Sequence, residues 1–286
     1  MRLIALLLGA VATLDPFLGL LLGLAWVAFR LKKPEERPLR FLWQLLIVPL
    51  VFVTASLINN SSDPVRTTPV IIRGLDAVFG AALPVVLFSE SQQRFRNYTL
   101  AMAHTAVFIS AYGIIRYLLF WRVLALALDQ AIEAMAQLSP QMMQNMATPQ
   151  SLDLLESLLP VSWIIPQLLA LFLGFILFHR LQGIRFAWKE VFFPKYYNLL
   201  ILLIVPLFFF PQTQLLFVNA LIALCFLPAI QGIGVVFHFF SSISSNVFLM
   251  ALLVLLIAFN LFLIALIGFA DIWLDLRKIK TKGYLS

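Results

Sequence analysis

Seven residues of this sequence have the type and setting to do chemistry inside an otherwise apolar chain: Arg73, Asp76, Gln231, Gly232, His238, Asp271 and Asp275. Arg73 and Asp76 stand three apart in an apolar segment, so on a helix they share a face and can pair. A charge at membrane depth costs roughly 2.5–3.5 kcal/mol on insertion scales, and pairing lowers that cost. Such a pair marks either a substrate or ion site, or an interface pair in which Arg73 snorkels toward a nearby polar turn. Gln231, Gly232 and Gly234 form a small polar patch in an apolar helix, with His238 one to two turns on. Small residues let helices approach closely, so the patch serves either helix packing or ligand binding. Asp271, Asp275 and Lys278 fall at helical spacing and read as one face with internal ion pairing. With Trp273 beside them they form an interfacial anchor or a docking surface for a partner. His104 and Arg116, twelve residues apart, lie about 120° apart around a helix and about 18 Å apart along it, so they are two places and not one cluster.

Several chemistries find no support. There is no H-E-x-x-H, no G-x-S-x-G and no P-loop, and the acids stand near segment ends rather than paired within spans. No catalytic residue and no enzyme activity is expected. One cysteine, Cys225, excludes a disulfide within the chain, and three separated histidines (His104, His179, His238) give no metal site. No cofactor is implied. The net charge of +7 comes from Lys and Arg in short loops, which reads as topology and contact with anionic headgroups; no nucleic-acid partner is expected.

The elements that must carry these residues are membrane helices. Of 286 residues, 62% are hydrophobic and 12% charged, and mean hydropathy is +0.99. A water-soluble fold could not hide so much apolar surface, so the lipid bilayer is the solvent. Apolar segments run 3–29, 41–57, 70–88, 98–121, 161–178, 196–210, 215–240 and 247–269. The first is broken at Asp15-Pro16, which makes it either one kinked helix or two pieces with the first re-entrant. It lacks a clear cleavage site and reads as a retained segment. The stretch 123–159 differs: it carries Asp129, Glu133, Asp153 and Glu156 and no Lys or Arg, and reads as amphipathic helix at the extracytoplasmic surface. The expected fold is all-α: a polytopic integral membrane bundle of about eight transmembrane helices with one amphipathic extramembrane segment, forming a single membrane domain over 1–286.

The loops 30–40, 89–97 and 180–195 are basic and should be cytoplasmic, with 58–69 and 122–160 outside. Three further crossings would put the basic tail outside, against that tendency. Either one stretch between 196 and 270 is not a simple crossing, as prolines at 206, 211 and 228 suggest, or the bias of the tail is overruled.

Leu227-Pro-Ala-Ile-Gln231-Gly232-Ile-Gly-Val-Val-Phe-His238-Phe-Phe resembles a stretch typical of the YybS-like membrane proteins, the DUF2232 family. Gly268-Phe-Ala-Asp271-Ile-Trp273-Leu-Asp275-Leu-Arg277-Lys278 is similar to that family's C-terminal pattern, and so is the 163–174 helix followed by a basic loop, Trp188 and Pro194. The Asp15-Pro16 break and the long acidic segment depart from it. The resemblance implies a bacterial cytoplasmic-membrane protein, distantly similar to the S components of energy-coupling-factor (ECF) vitamin transporters and to the rod-shape protein MreD. On that basis the expectation is a transport-related, small-molecule-binding protein that depends on a separate ATPase module; the alternative is a cell-envelope scaffold that binds other membrane proteins.

Overall fold

The computed structural model describes residues 2–31, 42–59, 64–138, 149–184, 186, 188, 191–240 and 247–278. The basic stretch 32–41, residues 60–63, the middle of the acidic segment (139–148) and the tail from 279 lie outside the described residues. Helix accounts for 92% of the structure, with no strand among the described residues.

The break at Asp15 is a helix start. α1 (Arg2–Leu14) ends there and α2 (Pro16–Leu31) begins. Pro16 has no N–H to satisfy and takes the first helical position, while Asp15 Oδ1 accepts the N–H of Phe17 at 2.9 Å and of Leu18 at 3.4 Å. α2 folds back on α1: a Cβ on Gly19 would lie 2.5 Å from Ala12 Cα. At 13 and 16 residues these helices are about 20 and 24 Å long, short of a hydrocarbon core of about 30 Å. The first apolar segment is thus a pair of short helices rather than one kinked crossing. α3 (Ile47–Asn59) follows a 3₁₀ turn at Trp43–Leu46, against which α1 packs closely through Gly9.

α4 (Pro64–Ala77) continues through a π-turn at Val78–Ala82 into α5 (Leu83–Phe95). The wider turn takes up the register where Pro84 can give no N–H. α6 (Tyr98–Leu138) has 41 residues, about twice the length needed to cross a bilayer. Its backbone kinks at Phe120, about 33 Å from Tyr98 at 1.5 Å per residue. All its buried residues lie between Ala101 and Gly113, and the acidic part beyond the kink, with Asp129 and Glu133, is largely exposed. The order then continues with α7 (Pro149–Ser157), α8 (Leu159–Gln182), α9 (Tyr196–Ile204) with a 3₁₀ extension to Phe209, α10 (Gln214–Phe239), α11 (Val247–Phe259) and α12 (Leu261–Leu274).

Four helical stretches among the described residues are long and apolar enough to cross a membrane: Thr68–Phe95, Tyr98–Leu138, Leu159–Gln182 and Pro211–Phe239. That is fewer than the eight expected. Three of the others are cut short by helix breaking, at Asp15-Pro16, in the Pro206–Pro211 region and at Asn260, where α11 gives way to α12, and the fourth, Trp43–Ile58, is apolar but too short.

The core is centred on α8, which lies against α2, α6 and α10. Leu24, Phe88, Met102, Ile109, Leu168, Leu171, Phe175 and Phe178 are fully buried there. Gly174 lets α2 approach, since its Cβ would stand 2.6 Å from Leu24 Cδ1. Large apolar side chains such as Leu119, Leu203, Phe209 and Phe259 are exposed, as a lipid-facing surface requires.

α8 and α10 run parallel. At one end Asn219 accepts the N–H of Val161 at 3.1 Å and donates to the Ser157 carbonyl at 2.8 Å, capping the start of α8. At the other end Gly183 (φ 75°) closes α8, with Ile184 N–H returned to the His179 carbonyl, and Trp188 and Phe193 pack against α10.

Candidate functional site

Asp76 is at the last turn of α4, Tyr112 and Arg116 are one turn apart on α6, and Trp163 is near the start of α8. Glycines shape the place where they meet. A Cβ at Gly80, in the π-turn, would stand 2.8 Å from the Trp163 ring, and one at Gly113 would stand 3.3 Å from that ring and 2.2 Å from Ile164 Cγ1. The indole therefore sits in a slot left by two absent side chains. Arg116 lies over its face, 5.2 Å from guanidinium carbon to ring centre.

Held there, Arg116 makes a bidentate pair with Asp76: Nε to Oδ1 at 2.7 Å and Nη2 to Oδ2 at 2.9 Å. The Tyr112 hydroxyl donates to the same Oδ1 at 2.8 Å, and its ring stacks on Phe79 at 5.1 Å. The pair is not sealed, since the side chains of Arg116 and Asp76 keep 12% and 9% of their accessible surface. Among the described residues Nη1 of Arg116 makes no hydrogen bond. Arg73, expected from its spacing as the partner of Asp76, is exposed and makes no ion pair among the described residues. The partner comes instead from forty residues away. Tyr112 and Arg116 are four apart, so their shared helical face was readable from the sequence; that this face meets Asp76 was not.

A second polar cluster sits at the opposite end of α8 and α10. Gln231 Nε2 donates to Asp271 Oδ2 at 2.7 Å, and Gln231 Oε1 accepts the N–H of Phe193 at 2.8 Å. Arg277 donates to Asp271 Oδ2 from Nη2 at 2.6 Å and from Nε at 3.1 Å, and from Nη2 to the Val191 carbonyl at 2.7 Å. Both charged side chains are fully buried. Gly232 and Gly268 let α10 and α12 touch backbone to backbone, facing the Ile264 and Pro228 carbonyls respectively. Gly234 leaves room for the Trp188 carbonyl and the Arg277 guanidinium. The polar patch and the terminal acid thus form one network that fastens helices and the chain at 191–193 together. His238 stands at the end of α10 with its ring edge-on to Phe239.

The expected single face of Asp271, Asp275 and Lys278 does not form. α12 ends at Leu274, and Asp275 and Lys278 adopt left-handed conformations (φ 49° and 53°) that turn the chain back and carry Arg277 into the core. Sequence reasoning had Arg277 only as one of several basic tail residues, because the turn that inverts its direction has no helical period.

A third contact joins His104 to Ser91 (Nδ1 to Oγ, 3.3 Å) and to the Tyr196 hydroxyl (Nε2, 2.9 Å), linking α6 to α5 and α9. Among the described residues no group of three or more His, Cys, Asp or Glu is placed to hold a metal ion.

Fold and clusters define a helical membrane protein with a sealed ion pair, Asp271–Arg277, and a partly open one, Asp76–Arg116. No family model, curated protein or solved structure matches the chain.

Proposed function

We propose that this protein binds a small molecule as the membrane component of a transport system, resembling an ECF S component in the bacterial cytoplasmic membrane and relying on a separate ATPase module. The observation that carries the reading is the Asp76–Arg116 pair: charges kept within the spans, flanked by Tyr112 and Trp163, and still partly accessible. Ionisable residues at membrane depth are functional by default, because their cost must be offset by use. The Gln231–Asp271–Arg277 network supports a structural role for the segments that resemble the YybS-like family, and kinship with that family stays part of the proposal. Under the positive-inside tendency the Asp76–Arg116 cluster lies at the extracytoplasmic end, beside the acidic segment.

The test is gentle extraction of the full chain followed by native mass spectrometry. A stoichiometric small molecule, lost in Arg116→Gln, is expected. A protein that carries no small molecule but co-purifies with a protein complex lacking any ATPase would overturn the reading.

That last outcome belongs to the alternative, a cell-envelope scaffold similar in role to MreD. Its supporting observation is the exposed helix 121–138, which extends α6 beyond the bundle with Leu126, Met135 and Leu138 uncovered. Deleting that helix would abolish partner capture if the scaffold reading holds.

A further inference from the structure

We propose that Arg116 anchors an anionic oxygen group, a carboxylate or phosphate, so that the ligand bound at this end of the bundle is an anion. The inference rests on the small-molecule reading above and names the chemistry of the site.

The guanidinium is only half used. Nε and Nη2 are committed to Asp76, one face is covered by Trp163, and Nη1 has no hydrogen bond among the described residues although the side chain keeps accessible surface. A planar donor fixed on one edge by a carboxylate and on one face by an indole offers its remaining edge in a set direction, which suits an oxyanion. The Tyr112 hydroxyl, already donating to Asp76, can only accept from a ligand and so adds no competing charge. Arg73 is exposed one turn before Asp76, and Arg122 is exposed over Trp121, six residues past Arg116. Asp76 and Glu156, the latter close to Tyr117, with Asp153 one turn before it on α7, balance these cations, so it is the open edge of Arg116 that selects an anion.

The same chemistry is carried by a free solute and by a lipid phosphate. Inorganic phosphate titrated into the full chain in phosphatidylcholine nanodiscs, followed by phosphorus NMR line broadening, tests the first. Retention of phosphatidylglycerol on release from mixed phosphatidylglycerol and phosphatidylcholine nanodiscs, read by native mass spectrometry, tests the second. Arg116→Gln should weaken binding of whichever probe is held by about tenfold. Asp76→Asn, which removes the competing carboxylate, should tighten it several-fold. The neutral pair Asp76→Asn/Arg116→Gln serves if Arg116→Gln alone fails to fold, and should bind as weakly. Broadening that depends on Arg116 supports a solute anion; lipid retention that depends on it supports a headgroup. If folded variants bind both probes within twofold of the parent, the proposal falls. A neutral or cationic molecule co-purifying with the protein would overturn this inference and leave the small-molecule reading standing. Arg116-dependent lipid retention with no small molecule present would do the reverse.

Discussion

Arg277 reaches back across 86 residues of sequence to donate to the Val191 carbonyl at 2.7 Å. Val191 belongs to the chain between α8 and α9, and Gly234 of α10 touches Trp188 in the same stretch. α10 therefore delivers the chain to that end of the bundle, and at Arg277 the chain is there again, so α11 and α12 together make no net crossing. The start of the basic tail therefore lies at the same end of the bundle as Trp188 and Val191.

This gives a direct expectation. In a Cys225→Ser background, Lys278→Cys and Arg180→Cys, both at exposed positions, should be labelled by an impermeant thiol reagent from the same face of the membrane. Labelling from opposite faces would show that α11 and α12 together make one net crossing.

The Asp271–Arg277 pair is fully buried, so removing one partner leaves a charge without compensation. Arg277→Met should destabilise the fold by about 3–5 kcal/mol, while Asp271→Leu/Arg277→Met should recover most of the loss. Thermal unfolding in one detergent, compared across the variants, reads the difference. A double-variant loss equal to the sum of the losses from Arg277→Met and Asp271→Leu alone would mean that the pair is not coupled.

Arg73 and Arg116 should differ sharply although both are near Asp76. Arg73→Gln removes an exposed cation without an ion pair and should change stability by less than about 0.5 kcal/mol. Arg116→Gln strips Asp76 of its bidentate partner and should cost several times more. The same thermal measurement checks both, and a larger effect at Arg73 would contradict the pairing.

Gly232 and Gly268 mark the contact between α10 and α12, where an added Cβ would meet the Ile264 and Pro228 carbonyls. Backbone cannot give way as a flexible side chain can, so Gly232→Ala and Gly268→Ala should each cost about 1–3 kcal/mol. Gly183→Ala, at a left-handed position with open space around it, should cost only about 1 kcal/mol, from backbone strain. Melting temperatures of the three variants should rank accordingly.

Composition and periodicity by themselves determined that this is a helical membrane protein, because apolar content near two thirds leaves no aqueous alternative, and they marked a break at Asp15-Pro16 without deciding between a kink and a reversal. They also marked Asp76, Gln231 and Asp271 as polar residues that need an account. The tertiary structure decided their partners. A helical period relates only residues three or four apart, so it offered Arg73 to Asp76 and no partner six residues on to Asp271, whereas the structure pairs Asp76 with Arg116 and Asp271 with both Gln231 and Arg277. Those pairings depend on which helices pack together and on the backbone reversal at Asp275, and neither has a local signal. For the same reason the side on which the tail starts came from a contact between Arg277 and Val191, not from counting apolar segments.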